Sequence, residues 1–266
     1  MKKLRVGLIG AGNIARVIAS NVSDDITIVC VYDQLTEKAE AFAKRYKCRF
    51  LKVDEFPKLD LVVEAASQDA VAEYGERTLE KGSNFMVMSV GAFSDESLFQ
   101  RLKNKAEEKG LRILIPSGAL VGLDGLKAAK RAGLDEVELI TTKNPKSFED
   151  SDYLREGGIR VSEIRAKTLL FEGEAKEAIR HFPKNINVAA TLSLIGLGFK
   201  KTKVRIYADP GVAQNIHEVI ARGKFGELHT KTMNIPSPDN PKTSYLAALS
   251  ALTVIEDFAS SVRVGN

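Results

Sequence analysis

The sequence predicts an α/β protein in two parts: a doubly wound parallel sheet, then a second α+β domain with a mixed or antiparallel sheet. Three observations carry this. Through the first half, short runs rich in Val and Ile alternate with helical patterns, spaced about 20–35 residues apart as crossover connections require. A glycine turn, Gly7-Leu8-Ile9-Gly10-Ala11-Gly12-Asn13-Ile14-Ala15, stands between the first run and the first helical pattern. After Pro116 the texture shifts to strands and irregular stretches. These set expected boundaries at 1–119, rejoined by a C-terminal helix 242–266, and 120–241 for a substrate-binding and dimerisation domain.

The expected strands of the first part are Leu4–Ile9, Ile26–Tyr32, Leu59–Ala65, Phe85–Val90 and Leu111–Ile115. They are near-continuous apolar runs, which suits a sheet buried on both faces. Between them, Asn13–Val22, Thr36–Tyr46, Asp69–Lys81 and Asp95–Lys109 place apolar residues near i, i+3 and i+4, and Gly82 and Gly110 follow two of them as helix stops.

In the second part a short helix is expected around Leu126–Ala132, with strands at Val137–Thr142, Arg160–Phe171, Val204–Asp209, Ile216–Ala221 and Leu228–Asn234. Lys224-Phe225-Gly226 should turn the last two into a hairpin. Helices are expected at Ala175–His181 and Val188–Leu197, the latter with Asn187 as N-cap. Asn144–Gly158 mixes Pro, Asp, Ser and Gly without a period and reads as a mobile connection or a substrate-side loop. Ser244–Val262 is a strongly amphipathic helix.

Composition excludes several classes of function. Lys and Arg number 39 against 35 Asp and Glu, and the charges are interspersed rather than gathered in a basic block, so no nucleic-acid partner is expected. The small positive excess suits anionic small molecules. Cys30 and Cys48 are the only cysteines, and neither belongs to a CxxC or Cys/His cluster, so they read as reduced thiols and no metal site is expected. The apolar stretch Ile186–Phe199 falls short of the roughly 20 residues that span a bilayer, so no membrane segment is expected. Met1-Lys2-Lys3 leads into an apolar run too short for a signal peptide, and a cytoplasmic protein is expected.

Chemistry enters with the glycine turn. In Gly10-x-Gly12-x-x-Ala15 the first glycine allows the tight turn, the second lets backbone approach a pyrophosphate, and Ala15 lets the helix sit close to the strand. The start of that helix, at Asn13 and Ile14, offers backbone N–H groups and the positive end of the helix dipole to the phosphates. Asp33 closes the second expected strand 21 residues past Gly12, where a carboxylate can accept from both ribose hydroxyls of an adenosine. Strand before, helix after and acid at this distance together make a Rossmann dinucleotide site. The Asp33 charge favours NAD, while Lys38 on the following helix keeps NADP open.

Ligands of such sheets bind beyond the carboxyl ends of the strands. Candidates there are Glu64-Ala65-Ala66-Ser67, Ser89-Val90-Gly91 and Pro116-Ser117-Gly118-Ala119, whose small residues either leave room for nicotinamide or simply make turns. From these we take Ala65, Ala66, Ser89, Gly91 and Ala119 as cofactor contacts. Three histidines are candidates for proton transfer near neutral pH. His217 lies on the strand face opposite Ile216, Glu218 and Ile220, and is either a structural strand histidine or the acid–base group. His181 and His229 read as surface residues.

Over nearly its whole length the chain resembles the L-aspartate dehydrogenases. The likeness rests on Gly7–Ala15 and Asp33, Pro116–Ala119 with Gly122-Leu123-Asp124, Phe182–Ala190, Ala208-Asp209-Pro210 through His217-Glu218, and Asn234–Ser244. It implies that His217 is the acid–base residue, that Asn187 contacts the nicotinamide end, and that Val121 stands at a cofactor contact where the family often has Ala. It further implies NAD(P)-dependent oxidation of L-aspartate to iminoaspartate, released as oxaloacetate and ammonia or passed on to NAD biosynthesis, by a homodimer. The substrate carboxylates then need partners, for which Ser117, Lys242 and Thr243 are candidates, although Asn240–Ser244 also reads as a capped helix start. Two other readings stay open from fold alone: a dehydrogenase of a sugar or semialdehyde, and a non-enzymatic NAD-binding redox sensor. Against the sugar reading, Ser89-Val90-Gly91 stands where sugar-acting relatives present Glu-Lys-Pro.

Overall fold

The computed structural model describes residues 3–183, 187–237 and 240–265, the side chains of 240–242 aside. The chain divides into two compact units, residues 1–116 with 248–264 and residues 117–247 with 265–266.

The first unit runs β1 (Leu4–Ile9), α1 (Asn13–Asn21), β2 (Ile26–Tyr32), α2 (Thr36–Tyr46), β3 (Arg49–Phe50), β4 (Leu61–Glu64), α3 (Gln68–Glu80), β5 (Asn84–Val87), α4 (Glu96–Lys109) and β6 (Ile113–Leu114). Its strands form one parallel sheet in the order β3-β2-β1-β4-β5-β6. The order reverses between β1 and β4, which makes their carboxyl ends the switch point where such sheets take ligands. Val6, Leu8, Val31, Leu61, Val63 and Met86 are fully buried, and Ala251 and Ile255 of the chain's last helix join the same core. Asp95 caps α4 by accepting from Ser97 and Leu98 N–H, and Gly110 ends it in the left-handed region. The fourth and fifth strands stop short of the expected Ala65 and Val90. At Ser89 the ladder ends because its N–H donates to the Glu64 carboxylate, and the chain turns into a 3₁₀ segment, Val90–Ser94.

The second unit holds α5 (Leu123–Ala129), β7 (Leu134–Lys143), α6 (Asp152–Glu156), β8 (Thr168–Glu174), α7 (Ala175–His181), α8 (Asn187–Ile195), β9 (Thr202–Ala208), β10 (Asn215–Gly223), β11 (Gly226–Asn234), β12 (Pro236–Ser237) and β13 (Asn240–Ser244), after which α9 (Tyr245–Ala259) begins. Its main sheet has the order β11-β10-β7-β9-β8, with only β7 and β9 parallel. The sheet is mixed, as the strand-rich texture implied. Gly223 stands opposite Gly226, leaving Lys224 and Phe225 as a two-residue hairpin loop.

Four expectations are corrected here. Arg160–Phe171 is not one strand: Val161–Glu163 is a 3₁₀ turn and the ladder begins at Thr168. Residues 160–167 carry Arg160, Glu163, Arg165 and Lys167 and offer no buried face to pack a strand against a core. The loop Asn144–Gly158 contains a 3₁₀ turn, Pro145–Phe148, and α6, anchored by buried Phe148 and Leu154. The short helix starts at Leu123, three residues before the expected position, and Asn240–Ser244 is a strand rather than a helix start.

Alternation divides each strand of the mixed sheet. Val137, Leu139, Thr141 and Lys143 share one face of β7 and are all buried. Gly196, just past α8, lies against Val137 on that face, and α7 and α8 pack on β8 and β9. The other face carries Arg205, Glu218 and Lys231, with Met233 and Leu169 about half exposed.

Candidate active site

The glycine turn is a main-chain construction. Gly10 has φ +99°, and a Cβ there would lie 2.6 Å from the Ala65 carbonyl oxygen and 3.1 Å from the Ala66 Cβ. Only glycine fits so close an approach in that conformation. At Gly12 a Cβ would meet nothing nearer than the Ala65 oxygen at 4.0 Å, so the space in front of α1 is open. No side-chain cap bond forms at Gly12 and no acid stands in the first turn from Asn13 and Ile14, which suits the helix's positive end to an anion. These features fit a dinucleotide pyrophosphate.

Asp33 accepts from Ala11 N–H at 2.8 Å and Leu35 N–H at 3.0 Å, with Lys38 Nζ at 3.4 Å. Burial alone would raise its pKa, but the two N–H donors and Lys38 outweigh it and hold the carboxyl below its usual range. Asp33 is therefore ionised, and it ties the end of β2 to the glycine turn. Spacing alone pointed only to an expected contact with a ribose.

Sequence reasoning listed Glu64 only as a strand end. It is fully buried and accepts from Ala66 N–H at 2.7 Å, Ser89 N–H at 3.0 Å and Ser89 Oγ at 2.8 Å. Burial pushes its carboxyl up, against the pull of these donors. One buried carboxylate thus fixes both strand-end loops that carry Ala65, Ala66 and Ser89. The Ser89 hydroxyl, expected at the cofactor, is donated to Glu64, and Gly91 is buried in the 3₁₀ segment.

In the second unit the mixed sheet gathers polar groups at one end of its covered face. His217 stands opposite Thr141 of β7 and Thr232 of β11, and its Nδ1 lies 3.0 Å from Thr141 Oγ1. It is 3% exposed. Asn234 Nδ2 donates to the Ala119 carbonyl at 3.2 Å, Thr232 Oγ1 reaches the same oxygen at 3.0 Å, and Thr230 Oγ1 donates to Val121 O at 3.2 Å. The loop from Ser117 to Val121 is thereby stitched along β11, with Ala119 buried and the Val121 side chain 42% exposed. Asn215 Nδ2 donates to Ser244 Oγ at 3.3 Å, bringing the end of β13 to the same cluster. Ser117 and Thr243 are half-buried, Asn187 opens α8, and the Lys242 side chain lies outside the described residues.

Burial, helped by the nearby charge of Lys143, pushes the His217 imidazole down to about 3, so it is neutral at physiological pH. Lys143, which sequence reasoning passed over, is 4% exposed, and burial pushes its ammonium down to about 8. The signal was present in the alternation that puts Lys143 on the Val137, Leu139, Thr141 face. Of the other histidines, His229 is exposed as expected, 3.7 Å from Glu218. His181 is not a plain surface residue: it is half-buried, its ring 4.2 Å from that of Tyr153.

A parallel sheet with a glycine-turn phosphate site, coupled in one chain to a mixed sheet bearing a buried histidine, defines a two-domain nicotinamide dehydrogenase architecture. Residues 6–116 match the family described as homoserine dehydrogenase, NAD binding domain, and residues 124–258 match aspartate dehydrogenase, C-terminal. The L-aspartate dehydrogenase of Methanococcoides burtonii is 43% identical, covering 98% of this chain and 99% of that one. That of Methanosarcina acetivorans is 42% identical over the same shares. The crystal structure of aspartate dehydrogenase from Thermotoga maritima aligns with TM-score 0.80 at 32% identity, covering 98% of this chain and 99% of the other. The chain belongs to the L-aspartate dehydrogenase family.

Proposed function

We propose that this protein oxidises L-aspartate with NAD or NADP to iminoaspartate, which is hydrolysed to oxaloacetate and ammonia or delivered to NAD biosynthesis in the cytoplasm. The observation that carries the reading is His217, a neutral imidazole fixed by Thr141 on a buried polar face, in a chain of this family. The bound dinucleotide would supply the two-electron acceptor for the substrate hydride. Gly10, Gly12, Asn13 and Ile14 would hold its phosphates, Asp33 its adenosine ribose, and the loops at Ala65, Ala66, Ser89 and Gly91 its nicotinamide half. Ala119, Val121 and Asn187 are assigned to the cofactor by resemblance alone.

In the tautomer that donates Nδ1–H to Thr141 Oγ1, Nε2 of His217 keeps the lone pair that a base needs. It would take a proton from the substrate ammonium or activate the water that attacks the imine. Ser117, Thr243 and Lys242 would contribute to holding the substrate. The half-exposed Met233 and Leu169 on the uncovered sheet face support a homodimer formed through that sheet.

The test is to follow reduced nicotinamide by absorbance with NAD+ and separately with NADP+ over a panel of amino acids and hydroxy acids. Aspartate should give a signal at alkaline pH, and oxaloacetate with ammonia should consume reduced cofactor. Silence in both directions overturns the substrate assignment.

A further inference from the structure

We propose that the buried carboxylate of Glu64 sets the preference of the cofactor site between two redox forms, holding the oxidised, cationic nicotinamide more tightly than the reduced, neutral one. The inference rests on the reading that the loops at Ala65, Ala66 and Ser89 take the nicotinamide half of a dinucleotide. It deepens that reading by giving those loops an electrostatic role.

Glu64 is the last residue of β4, paired with Ile9 at the end of β1 and with Val87 at the end of β5. It stands at the carboxyl edge of the sheet, at the reversal of strand order where sheets of this kind take ligands. The turn that follows it lies against the phosphate site. The Ala65 carbonyl oxygen and the Ala66 Cβ are the atoms a side chain at Gly10 would strike, and the same Ala65 oxygen is 4.0 Å from a Cβ built at Gly12. Glu64 is one residue behind that surface and fully buried. It can act on a bound ring through its field, not by contact.

Both carboxylate oxygens are acceptors. Oε1 takes Ala66 N–H and the Ser89 hydroxyl, and Oε2 takes Ser89 N–H. A backbone N–H can only donate, so this set suits the ionised form and opposes the upward push of burial. The three donors are neutral groups, which stabilise a charge without cancelling it. Away from water, the field of that charge is screened far less than in solvent. The loop lock explains why each oxygen must accept; the charge that comes with it acts on the cofactor.

The oxidised nicotinamide ring carries a positive charge and the reduced ring none. An anion at this edge therefore attracts one form and is nearly indifferent to the other. Oxidised cofactor is taken up, and reduced cofactor leaves more readily after hydride transfer. Around the closed cycle, the same factor is lost from the hydride-transfer equilibrium on the protein.

The test measures dissociation constants of the full-length protein for NAD+, NADH and ADP-ribose, or for the 2′-phosphorylated set if that binds more tightly. Wild type is compared with Glu64→Gln and Glu64→Asp, using calorimetry and the fluorescence of the reduced ring. Loosened loops in E64Q would weaken both redox forms together, whereas a lost charge changes their ratio. The preference for NAD+ over NADH should fall about tenfold in E64Q, the size expected for one charge acting over several ångströms at intermediate dielectric. E64D retains the charge and should keep most of the preference, even where every affinity drops.

A wild-type ratio in E64Q, or a ratio in E64D that moves as far as in E64Q, would overturn the proposal. If E64Q does not fold, wild type decides with the dinucleotide in which benzamide replaces nicotinamide, a ring as flat as the oxidised one but uncharged. Binding as tight as that of NAD+ overturns the proposal, and binding about tenfold weaker supports it. Failure of the dinucleotide reading looks different: wild type then binds none of the three ligands, and the proposal falls with it.

Discussion

The two candidate sites in this chain are built from opposite materials. In the first unit the phosphate site is made of backbone: a left-handed glycine, an open glycine and the start of a helix, within six residues of β1. In the second the site is made of side chains, His217, Thr141 and Lys143, drawn from two strands more than seventy residues apart. The difference teaches that a main-chain site tolerates variation in most side chains but none in conformation. A side-chain site depends on the register of a whole sheet.

The largest effect should come from the side-chain site. His217→Ala is expected to lower turnover by about 10²–10⁴ while NAD binding, read by fluorescence titration, is retained. Wild-type turnover in that variant would remove His217 from the chemistry.

Within the backbone site the two glycines should separate cleanly. Gly10→Ala places a Cβ 2.6 Å from a carbonyl oxygen at φ +99°, so it should cost about 1–3 kcal/mol of stability and weaken NAD binding at least tenfold. Gly12→Ala has room in the protein, and should melt like wild type while losing NAD affinity because the methyl stands where the pyrophosphate approaches. Equal melting temperatures for the two variants would refute the distinction.

The pH dependence of stability sharpens the same contrast. The folded His217 pKa of about 3 lies below the ordinary 6.5, so as pH falls below 6.5 the unfolded chain takes up a proton that the folded chain refuses. Its contribution is complete above 6.5 and erodes toward 3, while Lys143 stays protonated across that window. Between pH 6.5 and 5, denaturant titrations should show wild type losing about 2 kcal/mol more than His217→Asn. Parallel curves would mean that the imidazole is not held neutral.

The smallest effect should be at Lys38. Its side chain is 41% exposed, so Lys38→Ala should change stability by less than about 1 kcal/mol. The NADP-to-NAD ratio of kcat/KM should fall, because the Lys38 cation beside Asp33 would favour a 2′-phosphate. An unchanged ratio would assign coenzyme choice to other residues.

Much of the first unit was legible locally. β1, β2 and α2 have the bounds that periodicity implied, because buried parallel strands and amphipathic helices write their periods into consecutive residues. Glu64 was visible only as a strand end, since its role depends on Ser89, twenty-five residues away and just past the next strand. In the second unit, alternation placed His217 on the correct face but could not supply Thr141, seventy-six residues distant, as its partner. The charged stretch around Arg160 read as a strand, yet none of residues 160–167 is fully buried and no face of it joins a core.

What the sequence determined by itself was the glycine turn, its helix and Asp33. Each depends on short-range conformation and on donors that any backbone carries. Only the tertiary structure decided that Asp33 also holds the glycine turn, that Glu64 locks two loops, and that Lys143 shares a buried face with His217. The physical reason is that burial and β register are set by contacts distant in the chain. The free energy of a charge depends on what the fold brings beside it.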